Sequence, residues 1–468
     1  MGSLFLRTSY YGDDSHPENV RAPLDIGYCI SILEEKGFET DFIDMKAEEI
    51  SVDNIIDQVV EKGFNTVFVQ VETPCVRMSK ELAEKIKKRA ENIDIVFFGQ
   101  HPSVSPETFL YEGSPIDFCI RGEPEAVVGE LKEKMKLNKG FEDLEGVSYF
   151  SDGNFKLTKT VKVENLDGLP FPKHSLFLND SYGDVLPLGV NHRKTNFGYI
   201  LSSRGCPFDC VYCSPTLRVT YGKRMRSRSA ESVVDEIEML VEKGVNVICF
   251  KDDMFTFSEK HVESICDEII ERGVDVNWFV QTRPDCISEK VFHKMREAGC
   301  KTVSFGVESG SPRILDLLKK GDEKEDVREA FRLAKQAGLN TVGYFMLGNP
   351  TENLEEMKKT LRFAKELKPD MIQVAFFTPY PGSEAYEEYR SSIGKDFGEY
   401  HHYNKITYNP SDVDDKTLMK FQKRFYISYF LSVGFLANFL KRKIRNGFDL
   451  SLELFYFKKG LKFLFSKS

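Results

Sequence analysis

The sequence predicts two consecutive α/β units, an N-terminal doubly wound parallel sheet and then a partial barrel of six strand–helix repeats, followed by a helical C-terminal tail. Two patterns predict this. Short runs rich in Val, Ile and Phe alternate with stretches whose apolar residues recur every three or four positions, as buried parallel strands and amphipathic helices require. The alternation lapses across residues 139–194 and resumes near Asn196. Length agrees, because the 468 residues exceed the roughly 250–300 that one core organises. With 41% hydrophobic and 29% charged residues, the composition excludes wholesale disorder and collagen-like structure.

In the first series, strands are expected at Leu4–Tyr10, Glu39–Asp44, Thr66–Val71, Asp94–Phe98 and Asp117–Ile120. Helices are expected at Leu24–Lys36, Val52–Lys62, Lys80–Glu91 and Glu123–Lys136. This order matches a Rossmann-like or flavodoxin-like domain over residues 1–138. Residues 139–194, dotted with Gly, Pro and Asn, read as a linker with one hairpin. The second series spans 195–390. Its strands fall at Phe197–Ser203, Val247–Lys251, Val276–Gln281, Thr302–Val307, Thr341–Leu347 and Met371–Phe377. Helices between them fall at Ala230–Lys243, Glu259–Arg272, Glu289–Ala298, Lys324–Ala337 and Leu354–Leu367. Six such units curve into an open partial barrel, in which ligands gather at the C-terminal ends of the strands.

Residues 391–468 differ in charge. From Lys416 onward, 12 Lys and Arg face two acids, a local charge of +10 that leaves −19 on residues 1–415. The uncharged run Phe425–Leu440, 16 residues long, is shorter than the ~20 needed to span a bilayer. It reads either as a buried helix packed on the barrel or as an interfacial anchor with basic flanks, giving peripheral membrane contact. The overall charge of −9 argues against nucleic acid as a partner. The opening residues Met1–Asp14 lack a secretory pattern, so a reducing, cytoplasmic setting is expected, and Leu6 occupies the place where an N-myristoylation motif wants Ser or Thr.

Ten cysteines are too few for a disulfide scaffold in a chain of this length. Three of them, Cys206, Cys210 and Cys213, form C-x3-C-x2-C in a Gly- and Pro-containing loop directly after the first strand of the second series. Thiolates are soft ligands, and no fourth Cys or His lies nearby to complete a structural zinc site. Three close thiolates instead suit a four-iron cluster that leaves one iron open to a non-protein ligand. The other seven cysteines are scattered and read as small buried hydrophobes.

This loop, with the aromatic Tyr212 before its third cysteine, resembles the radical S-adenosylmethionine (SAM) superfamily. The likeness continues in order through Phe250–Thr256, Thr282–Asp285, Gly306–Gly310, Gly343–Glu352 and Thr378–Ser383. The resemblance implies a 4Fe-4S cluster on the three cysteines and SAM contacts from Tyr212, Asp252, Asp253, Arg283, Gly306, Glu308 and Ser309. Ordinary strand-end carboxylates are the other reading of Asp252, Asp253 and Glu308, and a structural ion pair is the other reading of Arg283.

Upstream, Ala22–Tyr28, Phe97–Ser103 and Arg121–Glu125 are similar to the cobalamin-binding domain of cobalamin-dependent radical SAM enzymes. That likeness implies cobalamin contacts from Thr73, Gly99, Gln100, His101, Ser103, Arg121, Gly122 and Glu123. Other cobalamin proteins often supply a histidine through D-x-H-x-x-G. Here Asp14–Asn19 keeps D-x-H without the Gly, so His16 is not expected to ligate cobalt.

The implied chemistry is anaerobic reductive cleavage of SAM to a 5′-deoxyadenosyl radical that takes hydrogen from an unactivated carbon, followed by methyl transfer from cobalamin. No side chain is singled out as a catalytic acid or base. The implied partners are a small-molecule or lipid substrate and a one-electron reductant of the flavodoxin or ferredoxin type. Related outcomes are cyclisation or carbon–carbon coupling of a lipid or tetrapyrrole. A methylthiotransferase would need a second cluster on Cys29, Cys75 and Cys119, two of which fall inside a helix and a strand. A non-catalytic cobalamin and iron–sulfur sensor is the reading from another class.

Overall fold

The computed structural model describes residues 2–9, 20–184, 190, 195–213, 216–394, 396–400, 402–403 and 405–446, with the side chains of 216–218 and 441–446 left aside. The segment carrying His16 and the chain beyond residue 446 lie outside the described residues.

The first unit runs β1 (Gly2–Arg7), α1 (Leu24–Glu35), β2 (Glu39–Asp44), α2 (Val52–Glu61), β3 (Phe64–Gln70), α3 (Val76–Arg89), β4 (Asp94–Phe98), α4 (Gln100–Val104), β5 (Phe118–Ile120) and α5 (Val128–Leu137), then the hairpin β6 (Val147–Ser151) and β7 (Asn154–Lys156). The strands order as β2-β1-β3-β4-β5-β6-β7, parallel through β5 and antiparallel in the hairpin. This is a doubly wound sheet whose order reverses between β1 and β3, where ligands lie beyond the carboxyl ends of the strands. Alternation along β1 shows why both faces need helices. Leu4 and Leu6 pack with Ile55, Val59, Leu82 and Ile86 of α2 and α3, while Phe5 packs with Ile26, Ile30 and Leu131 of α1 and α5. The hairpin expected in the linker is present, but it extends this sheet rather than standing free.

The second unit adds β8 (Phe197–Ile200), the short pair β9 (Ser203–Arg204) and β10 (Arg226–Ser227), α6 (Ala230–Glu242), β11 (Val247–Phe250), α7 (Glu259–Glu271), β12 (Asn277–Thr282), α8 (Glu289–Glu297), β13 (Cys300–Glu308), α9 (Pro312–Leu317), α10 (Lys324–Gln336), β14 (Asn340–Leu347), α11 (Leu354–Leu367), β15 (Met371–Phe376) and α12 (Glu384–Tyr389). Six parallel strands lie in the order β15-β14-β13-β12-β11-β8, so β8 and β15 are open edges and the barrel is partial. Helix starts follow side-chain chemistry. Ser229, Ser258, Ser288 and Asn353 each accept from the backbone N–H three residues on.

The concave side of the barrel is covered by the first unit: Tyr199, Val247, Cys249, Phe279 and Val342 form one apolar cluster with Val20, Ala22, Leu24 and Tyr28. In the tail, α13 (Asp415–Phe430) buries Leu418, Phe421, Phe425 and Tyr429 against the barrel. The chain then breaks at Leu431–Ser432 and turns into α14 (Val433–Asn446). The uncharged run is therefore not one element. Its first part is a buried helix, and its second leaves Val433 82% and Leu440 60% exposed. Among the described residues, no helix is long and apolar enough to cross a membrane.

Candidate functional site: the cysteine loop and the facing strand ends

The loop after β9 is held from several sides. Gly205, at φ +104°, passes so close to the chain that a Cβ there would collide with the Arg224 carbonyl oxygen. Cys206 N donates to Gly222 O at 3.1 Å, Val211 N to Leu318 O at 3.1 Å, and Ala385 N to Val211 O at 3.0 Å. Cys213 N closes a turn onto Cys210 O at 3.2 Å. All ten cysteines are free; Cys206, Cys210 and Cys213 are partly exposed, whereas Cys29, Cys75, Cys119, Cys249, Cys266 and Cys300 are buried as expected and Cys286, against expectation, is not. Burial raises the thiols of Cys206 and Cys210, and at Cys210 the charges of Lys320 and Arg283 oppose that rise.

Charged groups crowd Cys210. The Arg283 side chain, 7% exposed at the end of β12, donates from Nε and Nη2 to Asp285 at 2.9 and 2.7 Å and from Nη1 to Cys210 Sγ at 3.6 Å. Its guanidinium lies 3.8 Å from the centre of the Phe208 ring, inside the same loop. Lys320 is buried and paired with Asp322 at 3.2 Å. Tyr212 lies beside both Glu308 and Cys210 and favours the charged form of each. Glu308 sits at φ +60°, an uncommon conformation for a residue other than Gly. Burial raises its carboxyl, and Lys320 opposes the rise. Gly306 makes room for it, since a Cβ there would stand 2.7 Å from Glu308 Oε1.

Other expected SAM contacts divide. Asp252 is committed to the protein, accepting from Ser202 N at 3.0 Å, Ser202 Oγ at 2.7 Å and Ser203 Oγ at 2.6 Å. Ser309 is buried beside Thr360, at 3.2 Å. Among the described residues Asp253 has no such partners, and burial beside Asp252 pushes its carboxyl up to about 7. On the concave side, burial and Arg21 bring the Lys251 ammonium down to about 8. Arg21 itself pairs with Asp184 at 2.6 Å.

In the first unit, the expected cobalamin contacts collect at the carboxyl ends of β3, β4 and β5. Thr73 opens a short turn after β3, and its Oγ1 meets His101 Nδ1 at 3.2 Å. The buried His101 leaves Nε2 with no hydrogen-bond partner among the described residues, and burial lowers the imidazole to about 3, so the ring is neutral. Gly99 takes φ +102° ahead of Gln100, the first residue of α4. Ser103 Oγ donates to Gly99 O at 2.7 Å and accepts from Gly122 N at 3.1 Å, while Arg121 Nε donates to Ser103 O at 3.2 Å. Glu123 behaves differently from the rest. Its carboxylate accepts from Arg204, Arg226 and Val163 N, so it ties the two units together.

Family models match both units: the radical SAM superfamily over residues 200–364 and the B12-binding domain over residues 16–132. An "uncharacterized methyltransferase" of Pyrococcus horikoshii is 34% identical over 368 residues, 78% of each chain. The chain belongs to the radical SAM superfamily, in its B12-binding class. An anaerobic magnesium-protoporphyrin IX monomethyl ester cyclase of Rubrivivax gelatinosus is 26% identical across 99% of this chain and 83% of its own. The radical SAM methyltransferase TsrM from Kitasatospora setae shares the fold, with a TM-score of 0.68 at 19% identity, over 84% of this chain and 75% of its own.

A radical SAM enzyme of this class uses a 4Fe-4S cluster, SAM and cobalamin, and acts with a reductant on a small-molecule substrate. The residues fit these groups. Three partly exposed free thiols on one braced loop are a donor set for iron–sulfur. The orphaned His101 nitrogen at the edge of a parallel sheet suits a bulky ligand lying over the strand ends. Cys29, Cys75 and Cys119 lie apart in α1, before α3 and in β5, each buried and with its thiol raised, and do not form a second loop of ligands. The sequence reading did not single out Phe208, Lys251 or Lys320. Phe208 lies inside the Cys206–Cys213 loop and Lys251 inside Phe250–Thr256, whereas Lys320 follows α9 with no spacing signal.

Proposed function

We propose that this radical SAM enzyme methylates an unactivated carbon of a small organic molecule or lipid. Cys206, Cys210 and Cys213 would hold the cluster; Tyr212, Asp253, Gly306 and Glu308 would surround SAM, with Arg283 held behind them on Asp285 and Cys210. Thr73, Gly99, Gln100, His101, Ser103, Arg121 and Gly122 would line the cobalamin edge. When bound, these groups supply a carbon-centred radical and a methyl donor, chemistry that no side-chain acid or base provides.

One observation carries the reading. Arg204, two residues before Cys206, donates to Glu123 at 3.1 Å and to Glu125 at 3.0 Å, directly after Arg121 and Gly122. The helical turn Thr216–Tyr221 behind the cysteines also packs on α4. The loop suited to the cluster and the sheet edge suited to cobalamin are thus neighbours, which a methyl transfer between two cofactors and one substrate requires. The chain's residues bind and orient these groups and exclude water. The electron donor is of the flavodoxin or ferredoxin type, and the exposed face of α14 is the point of peripheral membrane contact.

The test is anaerobic incubation of the reconstituted enzyme with SAM and reductant, alongside mass analysis of host metabolites and lipids with and without the protein. Formation of 5′-deoxyadenosine and a gain of one methylene support methylation. Loss of two hydrogens supports ring closure or coupling, the reading favoured by the near full-length match to the Rubrivivax cyclase. No 5′-deoxyadenosine overturns both.

A further inference from the structure

Arg283 touches the cysteine loop twice, through the Nη1 hydrogen bond to Cys210 Sγ at 3.6 Å and through the face of Phe208 at 3.8 Å. Its remaining fork is locked on Asp285. We propose that Arg283 is a positioning residue that sets the reduction potential of the iron–sulfur cluster through Cys210, and that Asp285 moderates it. This rests on the radical SAM reading given above.

Adding an electron to a cluster increases negative charge on its thiolates. A fixed N–H donor and a cation against one sulfur stabilise the reduced form more than the oxidised form, so they raise the potential. The effect is strong where water is excluded, and Arg283 is 93% shielded by a stacked ring and a bidentate carboxylate. Lys320, buried on its Asp322 partner, adds a second cation within electrostatic reach of the same thiol. Asp285 opposes both, because its carboxylate cancels part of the guanidinium charge without occupying Nη1. The pair therefore predicts shifts of opposite sign on removal of each partner.

The experiment is potentiometric titration, followed by electron paramagnetic resonance, of anaerobically reconstituted wild type, R283Q, R283K and D285N, each normalised to iron and sulfide content. At the wild-type midpoint, half the clusters are reduced. In R283Q the reduced-to-oxidised ratio there is expected to fall about tenfold, equivalent to ~59 mV for a one-electron couple. R283K, which keeps the charge but not the fork, falls by less. D285N moves the ratio upward. An R283Q cluster with full iron and an unchanged midpoint overturns the proposal. If R283Q holds no iron, D285N decides: an unchanged or more negative midpoint overturns it, because an Arg283 that governs the potential must raise it once its counter-charge is removed. A wild-type protein without a four-iron signal would instead sink the radical SAM reading.

Discussion

Arg204 donates to Glu123 at 3.1 Å with both side chains buried, and this pair joins the short β9–β10 ribbon ahead of the cysteine loop to the carboxyl edge of the preceding sheet. Glu125 and Arg226 complete the cluster, and the Arg204 guanidinium lies over the rings of Tyr28 and Tyr221. Breaking one partner of such a buried network leaves an uncompensated charge, which costs about 3–5 kcal/mol. E123Q is expected to lower the midpoint of chemical unfolding accordingly and to open the 139–194 connection to limited proteolysis. Cobalamin bound per folded molecule should stay as in wild type. A folded E123Q that loses cobalamin would return Glu123 to that ligand's contacts.

The cysteines separate by role. C206A, C210A and C213A should each abolish the reconstituted cluster, falling from about four irons per chain toward none. The triple variant C29A/C75A/C119A should keep the same iron count, since these three thiols are buried in separate elements. Iron and sulfide analysis checks both. Loss of half the iron in the triple variant would reveal a second cluster in the first unit.

Glu352 offers a pH test away from the cysteines. It is buried, its Oε2 accepts from Asn349 N and Nδ2 at 3.1 and 3.0 Å, Oε1 has no hydrogen-bond partner among the described residues, and burial raises the carboxyl to about 8. A raised carboxyl binds its proton more tightly folded than unfolded. Stability is therefore full below the unfolded value, falls as pH rises through the window up to about 8, and is flat above it. E352Q keeps an acceptor toward Asn349 and cannot ionise. Its stability relative to wild type should improve by about 1–3 kcal/mol between pH 6 and pH 9. Parallel unfolding curves at both pH values would remove this role for Glu352.

Much of this architecture is legible because its signals are local. Helix α11 spans Leu354–Leu367 as its apolar spacing predicts, and the Asn353–Glu356 capping box marks its start. Strand β4 matches at Asp94–Phe98. The cysteine spacing and its position after a strand likewise need no third dimension. What stays hidden depends on distant partners. The pairing of β6 with β5 makes the hairpin part of a sheet, and nothing within 139–194 announces it. Glu123 reads as a ligand contact until Arg204, 81 residues away, takes its oxygen. The uncharged run Phe425–Leu440 looks continuous because burial of Phe425 and exposure of Val433 leave no mark in hydropathy.

That exposed second half supports the last prediction. Helix α13 turns its apolar side to the barrel, but Leu431, Val433 and Leu440 stand 71%, 82% and 60% exposed at and beyond the break. Next to them, Lys365, Lys420, Lys423 and Arg424 line a cleft of about 630 Å³ together with Ile427 and Leu431. Apolar side chains flanked by cations match an anionic bilayer surface, where burial of the former and attraction of the latter add. The protein is expected to co-sediment with vesicles containing phosphatidylglycerol and not with pure phosphatidylcholine, and raising salt should weaken the binding. L431S/V433S/L440S should cut the bound fraction several-fold while leaving the cluster's iron content unchanged. Equal partitioning of wild type and variant would assign this face a different occupant, and binding insensitive to lipid charge would remove the cationic cleft from the contact.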